Sequence, residues 1–451
     1  MHVGLLAGNG AAWLAVAFGV WRAGATLVPI STFVTAPELA TLLAHADVDT
    51  LVLQPRLRGH DYSEHLRRLP APQQPRRVIV LDSHLPADDV EAHAALTPPA
   101  PDAVACILYT SGTSGQPKGV MLSHRAILST VWPTAARCGL TAADALLSTL
   151  PLFWVAGLVI RALPTLAAGC ALILTETFTI DALMTLLRRH QPTALHLRPP
   201  QVGQLLAQPG FDPKLLAAVR RGGGRVEWYA PHLDAERTRL ITGYGMTETA
   251  GYVTALDWRD PAEVRRTQLG APLPGVEIRI VGDSEQRCAA GQEGEIRVRG
   301  SGLFSGYYKQ PPRTGLDADG FFITGDRGRI DTDGVFHFVG RSKDLLRVKG
   351  INVSPLEVEA VLAAHADVEA AYVVGLPPDA LDQTVVALIV AKPACQPTEA
   401  ALRALADTAL SHYKRPQRYV FIARGDVPLG GTAKPQRAAL AELARGKGPE
   451  S

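Results

Sequence analysis

Tyr109-Thr-Ser-Gly-Thr-Ser-Gly-Gln-Pro-Lys-Gly119 is the stretch on which the reading of this chain turns. It gathers glycines, hydroxyl side chains, a proline and a lysine into one short run. The apolar residues 103–108 lead into it and predict a buried strand. An apolar-periodic stretch at 127–131 predicts a helix behind Ser123-His124. A loop of this make-up is a phosphate cradle. Glycines let backbone N–H groups approach oxyanions, hydroxyls donate further bonds, and the lysine adds a point charge. Thr110, Ser111, Gly112, Thr113, Ser114 and Lys118 are the candidate contacts. The spacing is not that of the P-loop, where Ser or Thr directly follows the lysine. The plainer reading is a flexible surface turn; the lysine locked between Pro117 and Gly119 argues against it.

Length and composition set the bounds. The chain has 451 residues, too many for one core and suited to two or three structural units. Charged residues make up 20% and apolar ones 47%, as in ordinary globular proteins. The formal net charge of +2 gives no argument for nucleic acid or an anionic membrane. Five cysteines, at 106, 138, 170, 288 and 395, form no CxxC pair and read as reduced thiols of a cytoplasmic protein. Residues 4–30 carry Arg22 as their one charge, so a membrane anchor is one reading. Asn9, Gly10, Gly24 and Pro29 interrupt the run, and no basic n-region or small-residue cleavage site is present. The expectation is a buried helix at 11–21 and a strand at 25–29, with no stable membrane insertion. A Pro-rich connector at 96–101 precedes the phosphate loop.

Further runs carry chemistry of their own. In Ile241-Thr-Gly-Tyr-Gly-Met-Thr-Glu-Thr249 a short strand is expected to end at a Gly-Tyr-Gly turn that frees the Tyr244 ring for a planar ligand. Thr247 adds a hydroxyl, and Glu248 a carboxylate of the kind Mg²⁺ accepts. A turn with a buried tyrosine is the bland alternative. Asp326 follows a glycine at a strand end, a place from which to accept ribose hydroxyls, while Asp333-Gly334 reads as a two-residue hairpin turn. Ser354-Pro355, with Glu357 in the first turn, predicts a capped helix start. Near the C-terminus, Gly430-Gly-Thr-Ala-Lys-Pro435 places Lys434 on a glycine-rich loop. Pro151-Leu-Phe-Trp-Val-Ala-Gly157 holds Trp154, which reads as a pocket wall or as a plain core aromatic.

Together these runs resemble the motifs of the adenylate-forming superfamily, which includes acyl-CoA synthetases, adenylation domains of peptide synthetases and luciferases. The resemblance implies roles residue by residue. Tyr244 stacks on adenine, and Thr247 and Glu248 serve the phosphates and the metal. Asp326 and Arg341 reach the nucleotide. Lys343 is the hinge, Gly350 lies beside the pantetheine tunnel, and Lys434 enters the active site for adenylation. Trp154 and Gly157 belong to the acyl-pocket motif. Gly294-Glu-Ile-Arg-Val-Arg-Gly300, followed by Gly306-Tyr-Tyr-Lys, resembles a small-barrel segment. Trp21 to Pro29 and His412 to Pro416 resemble two further family motifs. Three departures stand out. The chain starts close to its first helix, which implies an N-terminal truncation. The spacer between Gly222 and Gly243 is short. The last lysine sits in Thr-Ala-Lys-Pro in place of Thr-Gly-Lys-Ile.

The implied fold is α/β. A large layered N-terminal domain (αβαβα sheets plus a small β-barrel) covers residues 1–342, and a small mobile α+β domain covers 343–451. The implied activity is ATP- and Mg²⁺-dependent activation of a carboxylic acid to an acyl-adenylate, then transfer to CoA. The short tail after Lys434 leaves no room for a fused carrier domain. A separate carrier protein as acceptor, or a catalytically impaired ATP-binding remnant, are the alternatives. The sequence does not name the acid.

Overall fold

A computed structural model describes residues 1–70, 74–81, 97–110, 118–341, 345–348, 351–376, 383–410, 412–429 and 435–446. Its internal contacts divide the chain into one unit of Met1–Ile278 with Arg297–Ile323, and a second of Arg279–Ile296 with Thr324–Ser451. The domain boundary expected at 342/343 lies outside the described residues.

In the first unit, six strands form a sheet in the order 77–80, 50–53, 2–6, 26–29, 104–110, 118–123. Neighbours are parallel except the last pair, which is antiparallel. The expected first helix is Ala11–Arg22 and the expected strand is Thr26–Pro29. The strands read as continuous apolar runs because both faces are covered. Leu5 and Leu27 face a core with Trp13, Ala17, Val20 and Trp21 of that helix. Leu6, Val28, Leu51 and Leu53 face another, with Leu39, Leu42 and Leu43 of the helix Ala36–His45. Trp21 Nε1 also donates to the Ala105 carbonyl at 2.9 Å, tying the helix to the strand that feeds the phosphate loop. A second, all-parallel sheet runs 171–174, 145–148, 194–196, 221–223, 239–241. A smaller sheet of strands 243–246, 251–255 and 271–272 follows in sequence; in the second unit, residues 326–330 pair antiparallel with 336–341.

The second unit is built around Thr384–Ala391, whose run Thr-Val-Val-Ala-Leu-Ile-Val-Ala is apolar on both faces. Val385, Ala387 and Ile389 pack with Val358 and Leu362 of the helix Pro355–Ala363 and with Leu402 and Ala406 of the helix Glu399–Ala409. Val386, Leu388 and Val390 pack with Leu440 and Ala444 of Arg437–Gly446. Ser354 precedes Pro355–Ala363 as expected, but it does not cap it. Its hydroxyl donates to the Val339 carbonyl instead, because Gly340 brings that strand end within reach. Asp333-Gly334 does lie in a hairpin turn, but a wider one than a two-residue turn. Asp331 organises it, accepting from the backbone N–H groups of Asp333 and Val335 at 3.0 and 2.9 Å, with Gly334 at φ 80°. Among the described residues, no helix is long and apolar enough to cross a membrane.

Candidate nucleotide and acyl site

The strand expected at 103–108 is Val104–Thr110, and the next described strand, Lys118–Ser123, is its partner. The two are antiparallel, with Thr110 opposite Lys118. Both phosphate-loop ends are therefore fixed by a sheet. Ser111, Gly112, Thr113 and Ser114 lie outside the described residues. The helix expected behind Ser123-His124 is His124–Cys138, capped by Ser123, whose hydroxyl accepts from the Ala126 N–H at 3.1 Å.

Lys118 is half-buried, and its ammonium lies 5.2 Å from the centre of the Tyr307 ring, within cation–π range. The Tyr307 hydroxyl donates to Glu248 Oε1 at 3.0 Å. One tyrosine thus touches the candidate phosphate lysine and the candidate metal ligand. Backbone pairing sets it there. Residues 304–308 run along the outer edge of Lys118–Ser123. Ser305 N–H donates to the Met121 carbonyl at 2.8 Å, Met121 N–H to Gly306 at 3.1 Å, and Tyr308 N–H to Gly119 at 2.7 Å. Phe304 N–H donates to the Glu248 carbonyl at 2.8 Å. The segment expected in a small barrel with Gly294–Gly300 therefore edges the first sheet. Burial, then the Glu248 charge and hydrogen bond, raise the Tyr307 pKa, so the phenol stays protonated and donates. The sequence reading passed over Tyr307 as a site residue. Its signal was there in Gly306-Tyr-Tyr, whose glycine sits at φ 123°.

Gly243–Met246 is a strand, not the expected turn, and it pairs antiparallel with Gly251–Ala255. Its glycines answer to that partner. A Cβ on Gly243 would lie 2.1 Å from the Thr254 carbonyl oxygen, and one on Gly245 1.9 Å from that of Gly251. Tyr244 is buried, with its N–H donating to Thr254 Oγ1 at 3.3 Å. Thr247 and Glu248 open a single 3₁₀ turn, Thr247–Thr249, and both are half-buried. Glu248 Oε2 has no partner among the described residues, and no cluster of three metal-ligating side chains occurs among them. That donor set fits Mg²⁺, which takes one or two carboxylates and fills its octahedron with phosphate oxygens and water.

Trp154 stacks on Phe33, with centroids 6.3 Å apart and planes at 30°, and meets Phe153 edge-on. Gly157 is buried where a Cβ would lie 1.9 Å from the Pro151 carbonyl oxygen. Beyond it, Arg161 is buried in a π-helical turn, Leu158–Ala162. It donates to His196 Nδ1, to the Tyr252 hydroxyl at 3.0 Å and to the Ile160 carbonyl at 3.2 Å. Burial first, and the Arg161 cation second, hold the His196 pKa well below its ordinary value. The Gly222-Gly223 pair serves this packing. A Cβ on Gly222 would strike the Leu195 carbonyl at 2.0 Å, and one on Gly223 the Arg161 guanidinium at 2.1 Å.

In the second unit, Asp326 is buried and lies across the strand pair from Arg341, with Nε 3.4 Å from Oδ1. Asp326 N–H donates to Thr324 Oγ1 at 3.0 Å. Lys343, Gly350 and Lys434 lie outside the described residues. Flanking the last of these, Leu429 bridges Pro435 and Gln436 N–H donates to the Pro428 carbonyl at 2.9 Å.

This arrangement accords with sequence and structural relatives. Residues 1–308 match the AMP-binding enzyme family, and residues 357–434 match the AMP-binding enzyme C-terminal domain. The chain belongs to this family of adenylate-forming enzymes. It is 33% identical over 443 residues to a sulfoacetate–CoA ligase of Cupriavidus necator, covering 96% of this chain and 85% of that one. A feruloyl-CoA synthase of Amycolatopsis is 31% identical, covering 96% and 87%. The ATP-bound crystal structure of MatB from Rhodopseudomonas palustris superposes with a TM-score of 0.84 at 27% identity, covering 98% and 88%.

Proposed function

We propose that this protein is an AMP-forming acid–thiol ligase. It activates a carboxylic acid with ATP and passes the acyl group to CoA. The observation that carries this reading is the chain of contacts from Lys118 through Tyr307 to Glu248, set beside the ends of the phosphate loop. Lys118 and the loop hydroxyls hold the β- and γ-phosphates. Glu248 offers its free oxygen to Mg²⁺, which when bound neutralises phosphate charge. A carboxylate oxygen of the acid attacks the α-phosphorus, the bond to the bridging oxygen breaks, and pyrophosphate leaves. Thiolate attack on the acyl carbon then expels AMP. The protein contributes positioning and charge neutralisation in both steps. Tyr244 supports the adenine, Asp326 and Arg341 the ribose side, and Lys434 the α-phosphate. Trp154 walls the acid site. Cytoplasmic placement fits the five unpaired cysteines.

ATP–pyrophosphate exchange over a panel of acids, with sulfoacetate and ferulate included, tests the first step. The reading predicts exchange with at least one acid and AMP release on adding CoA. Exchange without any CoA product, but with acyl transfer to a carrier protein, would reassign the acceptor. No exchange with any acid would leave a nucleotide-binding remnant.

A further inference from the structure

Two arginines lie over the stacked Phe33–Trp154 pair with no carboxylate partner among the described residues. Arg58 Cζ lies 4.5 Å from the centre of the Phe33 ring, and Arg198 Cζ lies 5.6 Å from that of Trp154. Phe33 and Trp154 stack on one another, so the aromatic pair carries both guanidiniums. Arg198 is half-buried, and its Nε is fully enclosed without a hydrogen-bond partner. Among the described residues neither arginine has a carboxylate partner. The charged group that acts on Arg198 is Arg58, a like charge that lowers its pKa after burial does. Guanidiniums normally find carboxylates or backbone carbonyls when enclosed. Here the two are held together uncompensated.

Both also sit where the backbone favours another residue. Leu57 pairs with His60, so Arg58-Gly59 forms a two-residue hairpin loop. Arg58 has φ 53°, a position that suits Asn, Asp or Gly. Arg198 precedes the helix Pro199–Leu206 at its N-cap, where Ser, Thr, Asp or Asn would accept from the free N–H groups. A cation there opposes the positive end of the helix dipole. Local rules broken twice within one cluster point to function.

We propose that Arg58 and Arg198 receive a second anionic group on the acid substrate. The acids activated are then small dianions, dicarboxylates or sulfonated carboxylates, and not hydrophobic monoacids. This rests on the reading of Trp154 as a wall of the acid site. Guanidinium forks match carboxylate and sulfonate oxygens bidentately, and the helix N-terminus adds to the field.

The test compares acids that differ by one charge. Exchange is measured with succinate, 3-sulfopropanoate and butanoate, without CoA, for wild type, Arg58→Gln, Arg198→Gln and Arg198→Lys. Wild type should favour succinate or 3-sulfopropanoate over butanoate in kcat/KM by at least about tenfold. Each glutamine variant should lower that ratio by about 10- to 100-fold, mainly through KM, and Arg198→Lys should restore part of it. Thermal shift by the same acids, read without turnover, should show stabilisation by the dianions in wild type and its loss in Arg58→Gln. A preference for butanoate, or an equal loss with all three acids, overturns the proposal. So does an unchanged ratio together with a raised KM for CoA, measured separately in the full ligase reaction, which would make the pair a CoA-phosphate site. If exchange fails with every acid, the ligase reading falls, and the thermal shifts still decide whether the two arginines bind a dianion.

Discussion

At the scale of the residue, Tyr307 is the link between lysine and carboxylate. Its hydroxyl holds one oxygen of Glu248 and leaves the other for a metal. Tyr307→Phe keeps the ring under Lys118 and removes that bond. A hydrogen bond to a charged group contributes about 1.5–3 kcal/mol, so the exchange rate at limiting Mg²⁺ should fall about 10- to 100-fold. Saturating Mg²⁺ should recover part of it. Glu248→Gln should show the same Mg²⁺ dependence more severely, and the double variant should be little worse than Glu248→Gln alone. Additive losses would mean that Tyr307 acts elsewhere. The two residues differed in legibility for a physical reason. Glu248 stands in a short run with Tyr244 and Thr247, so local sequence exposes it. Tyr307 meets Glu248 across a separation of 59 residues, through strand pairing that no local pattern announces.

At the scale of the element, the sequence reported glycines faithfully and their purpose poorly. Gly243-Tyr-Gly read as a turn because turns are the commonest use of such a run. Here the glycines admit the backbone of the neighbouring strand. Gly245→Ala places a Cβ against a carbonyl oxygen of that backbone and should destabilise the protein by roughly 1–3 kcal/mol. Gly19→Ala is the contrast. It lies exposed inside the helix Ala11–Arg22 with nothing near its Cβ position, and should stabilise by up to about 1 kcal/mol. Thermal unfolding of both variants checks the pair; a neutral Gly245→Ala would remove the close-approach account. His196, at the end of the strand Ala194–His196, makes a prediction in pH. Its folded-state pKa lies below the ordinary 6.5 of the unfolded chain. The unfolded chain therefore binds the extra proton, and the stability this provides is whole above 6.5 and lost as pH falls below it. The loss is at most about 1.4 kcal/mol per pH unit. Unfolding free energies of wild type and His196→Gln between pH 8 and 5 should diverge below 6.5, with the wild type the steeper. Parallel curves would assign the acid sensitivity to other groups.

At the scale of the whole molecule, the layered sheets were legible because parallel strands buried on both faces announce themselves as apolar runs. The course of residues 304–308 along the first sheet was not, since a short polar-aromatic segment has no period to read. The proposed ligase must carry out two reactions with one set of groups, and the last lysine separates them. In the proposed mechanism Lys434 belongs to the first half-reaction alone, where it would meet the α-phosphate. Lys434→Ala should therefore lose exchange by several hundredfold or more, on the order of 3–4 kcal/mol for removing a preorganised transition-state donor. It should still convert a supplied acyl-adenylate to the thioester. Lys343, the proposed hinge, has the opposite signature. Lys343→Pro fixes φ near −65°, and should retain exchange while thioester formation falls. General destabilisation depresses both halves together, so opposite losses in two variants isolate the two roles. Equal losses in both half-reactions for both variants would return Lys434 to an ordinary surface charge and remove the hinge.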